Sequence, residues 1–214
     1  MFTDKLQQKI AQHNFENPQV YDFSISVNTK VSVFDLSVAI NADEIVKIIY
    51  QTKEQFGGTN PSSIPYSEHK DVIMSWHSGW TLHKQTNLLD KLISVVEDKV
   101  HDCLGRSEER LVKVAECWSM IQGKGDRIVN HKHWNEGYSA VYYAKTSNNP
   151  NPLIFDRGPT IVPKTNMLIC FPGYLHHHVP LIENEQERIL ISFNLNCIAI
   201  TDKLYEQNQS MKRG

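Results

Sequence analysis

Leu111-Val112-Lys113-Val114-Ala115-Glu116-Cys117-Trp118-Ser119-Met120-Ile121-Gln122, closed by Gly123-Lys124-Gly125-Asp126, is where the texture of the chain changes. The run reads as a strand followed by a turn, and short strand candidates continue after it. They are Tyr138 to Ala144, Leu153 to Phe155, Thr160 to Val162, Met167 to Phe171 and Arg188 to Asn194, with a Ser147-Asn148-Asn149-Pro150-Asn151-Pro152 turn among them. The first half reads differently. Asn41 is placed to cap a helix over 42–56 whose apolar side is Ile45, Ile48, Ile49, Thr52 and Phe56, with Gly57-Gly58 as its stop. Asn87 is placed to cap a second helix over 87–104, with Leu88, Leu89, Leu92, Ile93, Val96, Val100 and Cys103 facing inward until Gly105. Tyr21 to Val27 alternates with period two and reads as a strand. Helices first and many short strands afterwards predict a mainly β fold with flanking helices. A jelly roll, or double-stranded β-helix, disposes of its sheet edges in this way.

Composition sets the outer bounds. A length of 214 residues fits a single domain, 1–214, with a helical and mixed part at 1–109 and a β-helix core at 110–200. The 22 basic and 24 acidic residues nearly balance, and no basic stripe suggests a nucleic-acid partner. No apolar run is long enough to span a bilayer, so no membrane partner is expected. Met1 to Gln19 carries no apolar core of a secretory signal. Cys103, Cys117, Cys170 and Cys197 form no CxxC pair, which reads as reduced thiols in a cytoplasmic protein.

Histidine is the informative residue. Five of the ten, His131, His133, His176, His177 and His178, fall between 131 and 178. In an extended His131-Lys132-His133 both imidazoles point the same way and can face one metal. Leu175-His176-His177-His178-Val179-Pro180 lies 44 residues beyond His133 (177 − 133), a separation that a β-sandwich can close across its mouth. Imidazole suits iron, zinc, copper and nickel alike, so ligand type does not choose the metal. Taken separately, each motif has an ordinary explanation as surface or turn histidines; their joint occurrence at predicted strand ends favours a metal site.

Arg188 follows 11 residues after His177 (188 − 177). On a strand it shares a face with Leu190 and Ser192, while Ile189, Ile191 and Phe193 share the other. An arginine inside an apolar barrel is costly unless it meets an anion. A ligand carboxylate held bidentately would serve, and so would an internal Asp or Glu.

Several of these pieces, in this order, resemble the 2-oxoglutarate/Fe(II) oxygenases related to the prolyl hydroxylases. The matching residues are Trp118, Gly125-Asp126, His131-Lys132-His133, Ser139-Ala140-Val141-Tyr142-Tyr143, Phe171 to Leu175, His177 with Val179-Pro180, and Arg188 with Ser192-Phe193-Asn194. The likeness extends faintly to Trp76-His77-Ser78 and covers roughly 31–196. It implies Fe(II) held by His131, His133 and His177, and 2-oxoglutarate as cosubstrate. It also implies O2 as co-reactant and the hydroxylation of a protein side chain, a peptide or a small molecule. Arg188 would clamp the distal carboxylate, with Tyr143 and Ser192 as hydroxyl partners. The chain departs from the pattern at His133, where most of the superfamily has Asp or Glu, and at Leu190, where a small polar residue is common. Trp134 could wall a substrate cleft or simply pack. Two other readings remain: a cupin-like dioxygenase using three histidines without 2-oxoglutarate, and a jelly-roll binding module without catalysis.

Overall fold

The computed structural model describes residues 29–56, 75–133 and 137–199. The expected strand at Tyr21 to Val27, the Gly57-Gly58 stop and Trp134 lie outside them.

Strand β1 (Ser32–Asp35) leads into helix α1 (Ala42–Phe56). The Asn41 side chain accepts the Asp43 N–H at 3.1 Å and so caps the first turn, as its position predicts. Asp43 and Glu44 at the start and Lys53 near the end complement the helix dipole. Ile45, Ile49 and Thr52 are buried on one side. The Thr52 hydroxyl, which would be costly there alone, donates to the Ile48 carbonyl at 2.8 Å. After β2 (Trp76–His77) and the short helix α2 (Leu82–Gln85), helix α3 runs Asp90–Cys103. It begins later than Asn87 suggests. The Thr86 hydroxyl accepts the Leu88 N–H at 3.1 Å, which holds residues 86–88 in a turn and leaves Leu88 60 % exposed rather than inward. Asn87 contributes only its backbone carbonyl, to the Asp90 N–H. Leu89, Leu92, Val96 and Val100 are buried as the periodicity requires. Gly105 ends the helix at φ +70°, a conformation that suits glycine.

Eight strands follow: β3 (Arg110–Gln122), β4 (Ile128–His131), β5 (Gly137–Lys145), β6 (Leu153–Phe155), β7 (Thr160–Ile161), β8 (Met167–Pro172), β9 (His177–Val179) and β10 (Arg188–Ala199). They form two antiparallel sheets, a larger one in the order β1-β8-β5-β10-β3-β2 and a smaller one in the order β4-β9-β6-β7. This is the expected double-stranded β-helix. Two strands from before residue 110 supply both edges of the larger sheet, so the β-structure reaches beyond 110–200.

The larger sheet separates two cores. On one side Tyr142, Ala144, Ile189, Ile191 and Phe193 pack with the buried faces of α1 and α3. On the other, Trp118, Met120, Tyr143, Ile169, Phe171 and Leu190 pack with Ile128, Leu153, Phe155 and Val179 of the smaller sheet. The alternation expected in β10 holds, with Leu190 in one core and its neighbours Ile189 and Ile191 in the other. Polar residues on the barrel side are tied to one another near one end. The Ser139 hydroxyl donates to Asn194 Oδ1 at 3.1 Å, and Asn194 Nδ2 donates to a Glu116 carboxylate oxygen at 2.6 Å.

Candidate metal centre and anion pocket

The smaller sheet assembles the histidines. His131 ends β4 and His177 begins β9, and the two are direct cross-strand partners. His133 lies just beyond β4, where its N–H donates to the Gly173 carbonyl at 2.9 Å, fastening it to the turn after β8. The side-chain ligand atoms of His131, His133 and His177 all lie within 4.8 Å of one another. Ring centroids are 4.4 Å apart for His131–His177 and 5.3 Å for His133–His177.

Two hydrogen bonds set the rings. His131 Nδ1 meets the Val129 carbonyl at 3.0 Å, and His177 Nδ1 meets the Leu175 carbonyl at 2.8 Å. A carbonyl only accepts, so each Nδ1 carries the proton and the neutral ring has its lone pair on Nε2. Metal-ligating histidines are oriented by bonds of this kind. Burial pushes the His177 imidazolium pKa down to about 3 and that of His133 to about 4, with His131 adding to both shifts. Neutral imidazoles are what a divalent metal needs. Phe171 and Phe155 flank His177 at centroid distances of 4.8 and 5.8 Å, and Trp118 stands 6.2 Å from His133. The donor set, its tautomers and its apolar walls fit a first-row divalent ion such as Fe(II).

Within the triplet the structure turns His177 inward, 5 % exposed. His176 is exposed, and His178 faces the other way, its Nδ1 3.9 Å from an Asp156 carboxylate oxygen. Period-two alternation leaves only His177 to join the HxH pair.

Arg188, 3 % exposed, occupies the first position of β10 on the barrel side. Nη2 donates to the Tyr143 hydroxyl and Nη1 to the Asn151 carbonyl, each at 3.1 Å. The guanidinium carbon lies 4.9 Å from the Tyr143 ring centroid. Among the described residues no carboxylate forms an ion pair with it, which removes the internal Asp or Glu alternative there, and its Nε has no hydrogen-bond partner. Burial pushes the Tyr143 phenol pKa up, against the opposing effect of Arg188, so the hydroxyl stays protonated. Ser192, also buried, follows on the same face of β10, opposite Trp118 and Val141.

A buried polar residue beside Arg188 escaped the sequence reading. Gln122 is fully buried, and among the described residues neither of its side-chain polar atoms has a hydrogen-bond partner. The sequence places it correctly as the last residue of the strand before Gly123-Lys124-Gly125; only its cross-strand pairing with Arg188 reveals its surroundings.

No protein-family model and no curated protein matches the sequence. Solved structures match the fold. A prolyl hydroxylase from Trichoplax adhaerens, in complex with a hypoxia inducible factor peptide fragment, superposes with a TM-score of 0.59 at 14 % identity, covering 89 % of each chain. A viral collagen prolyl hydroxylase from Paramecium Bursaria Chlorella virus-1, in complex with 2-oxoglutarate, gives 0.56 at 13 % identity over 77 % of this chain and 94 % of that one. HygX from Streptomyces hygroscopicus, with nickel and 2-oxoglutarate bound, gives 0.56 at 10 % identity over 78 % and 83 %. The chain therefore shares the double-stranded β-helix of 2-oxoglutarate/Fe(II) oxygenases. Among the described residues no helix is long and apolar enough to cross a membrane.

Proposed function

We propose that this protein is an Fe(II)- and 2-oxoglutarate-dependent dioxygenase that hydroxylates a protein side chain, a peptide or a small molecule. The observation that carries the reading is Arg188: a buried guanidinium with no carboxylate partner among the described residues, in the same barrel as three converging imidazoles. The apolar surroundings make an unmatched charge costly, and a dianionic ligand bridging metal and arginine would meet that need. The structural neighbours with 2-oxoglutarate bound support the same assignment.

In this reading His131, His133 and His177 hold Fe(II), which when bound supplies the site for 2-oxoglutarate and O2 and the oxidising chemistry. The carbonyls of Val129 and Leu175 hold the His131 and His177 rings in one tautomer. Arg188 and the Tyr143 hydroxyl bind the distal carboxylate, and Ser192 offers a further hydroxyl on the same face. Phe155, Phe171 and Leu190 keep water out of the space between. With three neutral ligands the protein contributes one negative charge fewer than a two-histidine, one-carboxylate set.

That neutral set also favours a second reading, a three-histidine dioxygenase without 2-oxoglutarate. Anaerobic titration of the Fe(II) protein with 2-oxoglutarate, followed by charge-transfer absorbance, separates the two. Admission of O2 should then yield succinate. Metal binding without either signal selects the second reading.

A further inference from the structure

Gln122 has no place in the scheme above, although it is the cross-strand partner of Arg188. It closes β3 directly opposite Arg188 on β10. Side chains opposite each other in an antiparallel pair project to one face, with Cβ atoms about 4.5–5.5 Å apart. The carboxamide and the guanidinium are therefore neighbours on the barrel side. Gln122 is 0 % exposed, and among the described residues its Oε1 and Nε2 both lack partners, as does Arg188 Nε. Three such atoms on two facing residues are a standing cost to the fold, which an apolar residue at 122 would relieve in part.

We propose that Gln122 is a third recognition residue of the carboxylate subsite. Its Nε2 donates to the distal carboxylate of 2-oxoglutarate beside Arg188 and Tyr143, while its Oε1 accepts the Arg188 Nε–H. Binding then gives partners to all three atoms at once. A neutral donor suits the position, because Arg188 already matches the carboxylate charge and a second buried cation would stand uncompensated whenever the pocket lacked an anion. The proposal rests on the 2-oxoglutarate reading.

The test uses the full chain loaded with Fe(II) under anaerobic conditions, as wild type, Gln122→Leu and Gln122→Glu. Two probes are titrated by charge-transfer absorbance: 2-oxoglutarate, and pyruvate, a 2-oxo acid with no distal carboxylate. Gln122→Leu should weaken 2-oxoglutarate roughly 10- to 100-fold, the range for a lost hydrogen bond to a charged group, and leave pyruvate unchanged. Its metal-free form should melt no lower than wild type, since it sheds two unpartnered polar atoms. Gln122→Glu, close in shape, should weaken 2-oxoglutarate further by opposing two carboxylates, and it carries the test if the leucine variant fails to fold. Equal 2-oxoglutarate affinity in wild type and variants would overturn the proposal and leave Gln122 to an ordered water. Equal losses for both probes would overturn it in favour of an effect on pocket shape. A wild type that gives no 2-oxoglutarate signal overturns the functional reading itself, and this inference with it.

Discussion

The two faces of the larger sheet are built from the same strands to different rules. The face under α1 and α3 buries Tyr142, Ile189, Ile191, Phe193, Leu168 and Cys170, and the Tyr142 phenol is partnered, donating to Asn166 at 2.7 Å. The face toward the smaller sheet alternates apolar residues with Arg188, Gln122, Tyr143, Ser192 and Asn194. Polar groups in a barrel cost stability, and the fold supports them only with the surplus from the other side. The helix-covered face is where stability resides, and the barrel face is where the proposed function places its ligand. Substitutions on the two faces should therefore separate cleanly into losses of folding and losses of binding.

The largest binding effect belongs to the imidazoles. His131→Ala and His177→Ala should each abolish stoichiometric Fe(II) binding, measured by metal analysis after anaerobic gel filtration. His176→Ala and His178→Ala should leave it nearly intact, because those rings point away from the cluster. Loss of iron in His178→Ala alone would break the inward assignment of His177. His133→Asp restores the commoner ligand set and should retain iron.

On the opposite face, Phe193→Ala should cost about 3–5 kcal/mol in denaturant unfolding, the usual range for deleting a buried aromatic ring. The folded fraction should keep its affinity for metal and for 2-oxoglutarate. A comparable loss of binding would show that the two faces are coupled rather than separate.

On the proposed reading, Arg188→Ala removes one partner of a buried charge pair that forms when the carboxylate binds. Such truncations cost about 2–5 kcal/mol, or roughly 30-fold to several thousand-fold in affinity. The dissociation constant for 2-oxoglutarate should rise by that range with Fe(II) binding preserved. Arg188→Lys should fall between, since it keeps the charge and loses the fork. An unaltered titration in Arg188→Ala would move the assignment to the three-histidine reading.

How much of this was legible in the sequence follows from the range of each signal. Local periodicity was enough for α1, for the buried stripe of α3 and for the opposite-facing residues of β10, because these patterns repeat over several turns or strand pairs. The HxH pair and the central histidine of the triplet were legible because alternation along a strand fixes which rings share a side. Strands β1, β2, β4 and β9 were not, since two to four residues carry little pattern of their own, and their pairing is supplied by neighbours distant in the chain. Strands β6 and β7 are as short but follow the Ser147 to Pro152 turn and flank Gly158-Pro159, which set them off. Leu88 was misplaced because a side-chain bond from Thr86 overrides the helical period. Gln122 was illegible for a different reason: its significance lies in a partner 66 residues away (188 − 122), and pairwise register is invisible to a reading of one segment at a time.

The smallest expected effect uses acid to compare the two faces. Burial pushes His77 and His133 down to about 4 and His177 to about 3, from an ordinary value of 6.5. All three are on or beside the barrel face, and burial also lowers the pKa of His83 on α2. A base with a lowered native pKa stays neutral in the folded protein while the unfolded chain takes up the proton. The unfolded state then holds more protons below pH 6.5, so stability is complete above that value and is lost as pH falls toward 4. Each histidine contributes on the order of 1 kcal/mol per pH unit in that window, with His133, which is only partly buried, contributing less. The metal-free protein should therefore melt progressively lower between pH 7 and pH 5. His177→Phe, which keeps an aromatic ring between Phe155 and Phe171, should show a shallower decline because one of the titrating groups is gone. If the wild type and His177→Phe lose melting temperature in parallel, the acid sensitivity lies outside the imidazole cluster, and the division of labour between the two faces needs another explanation.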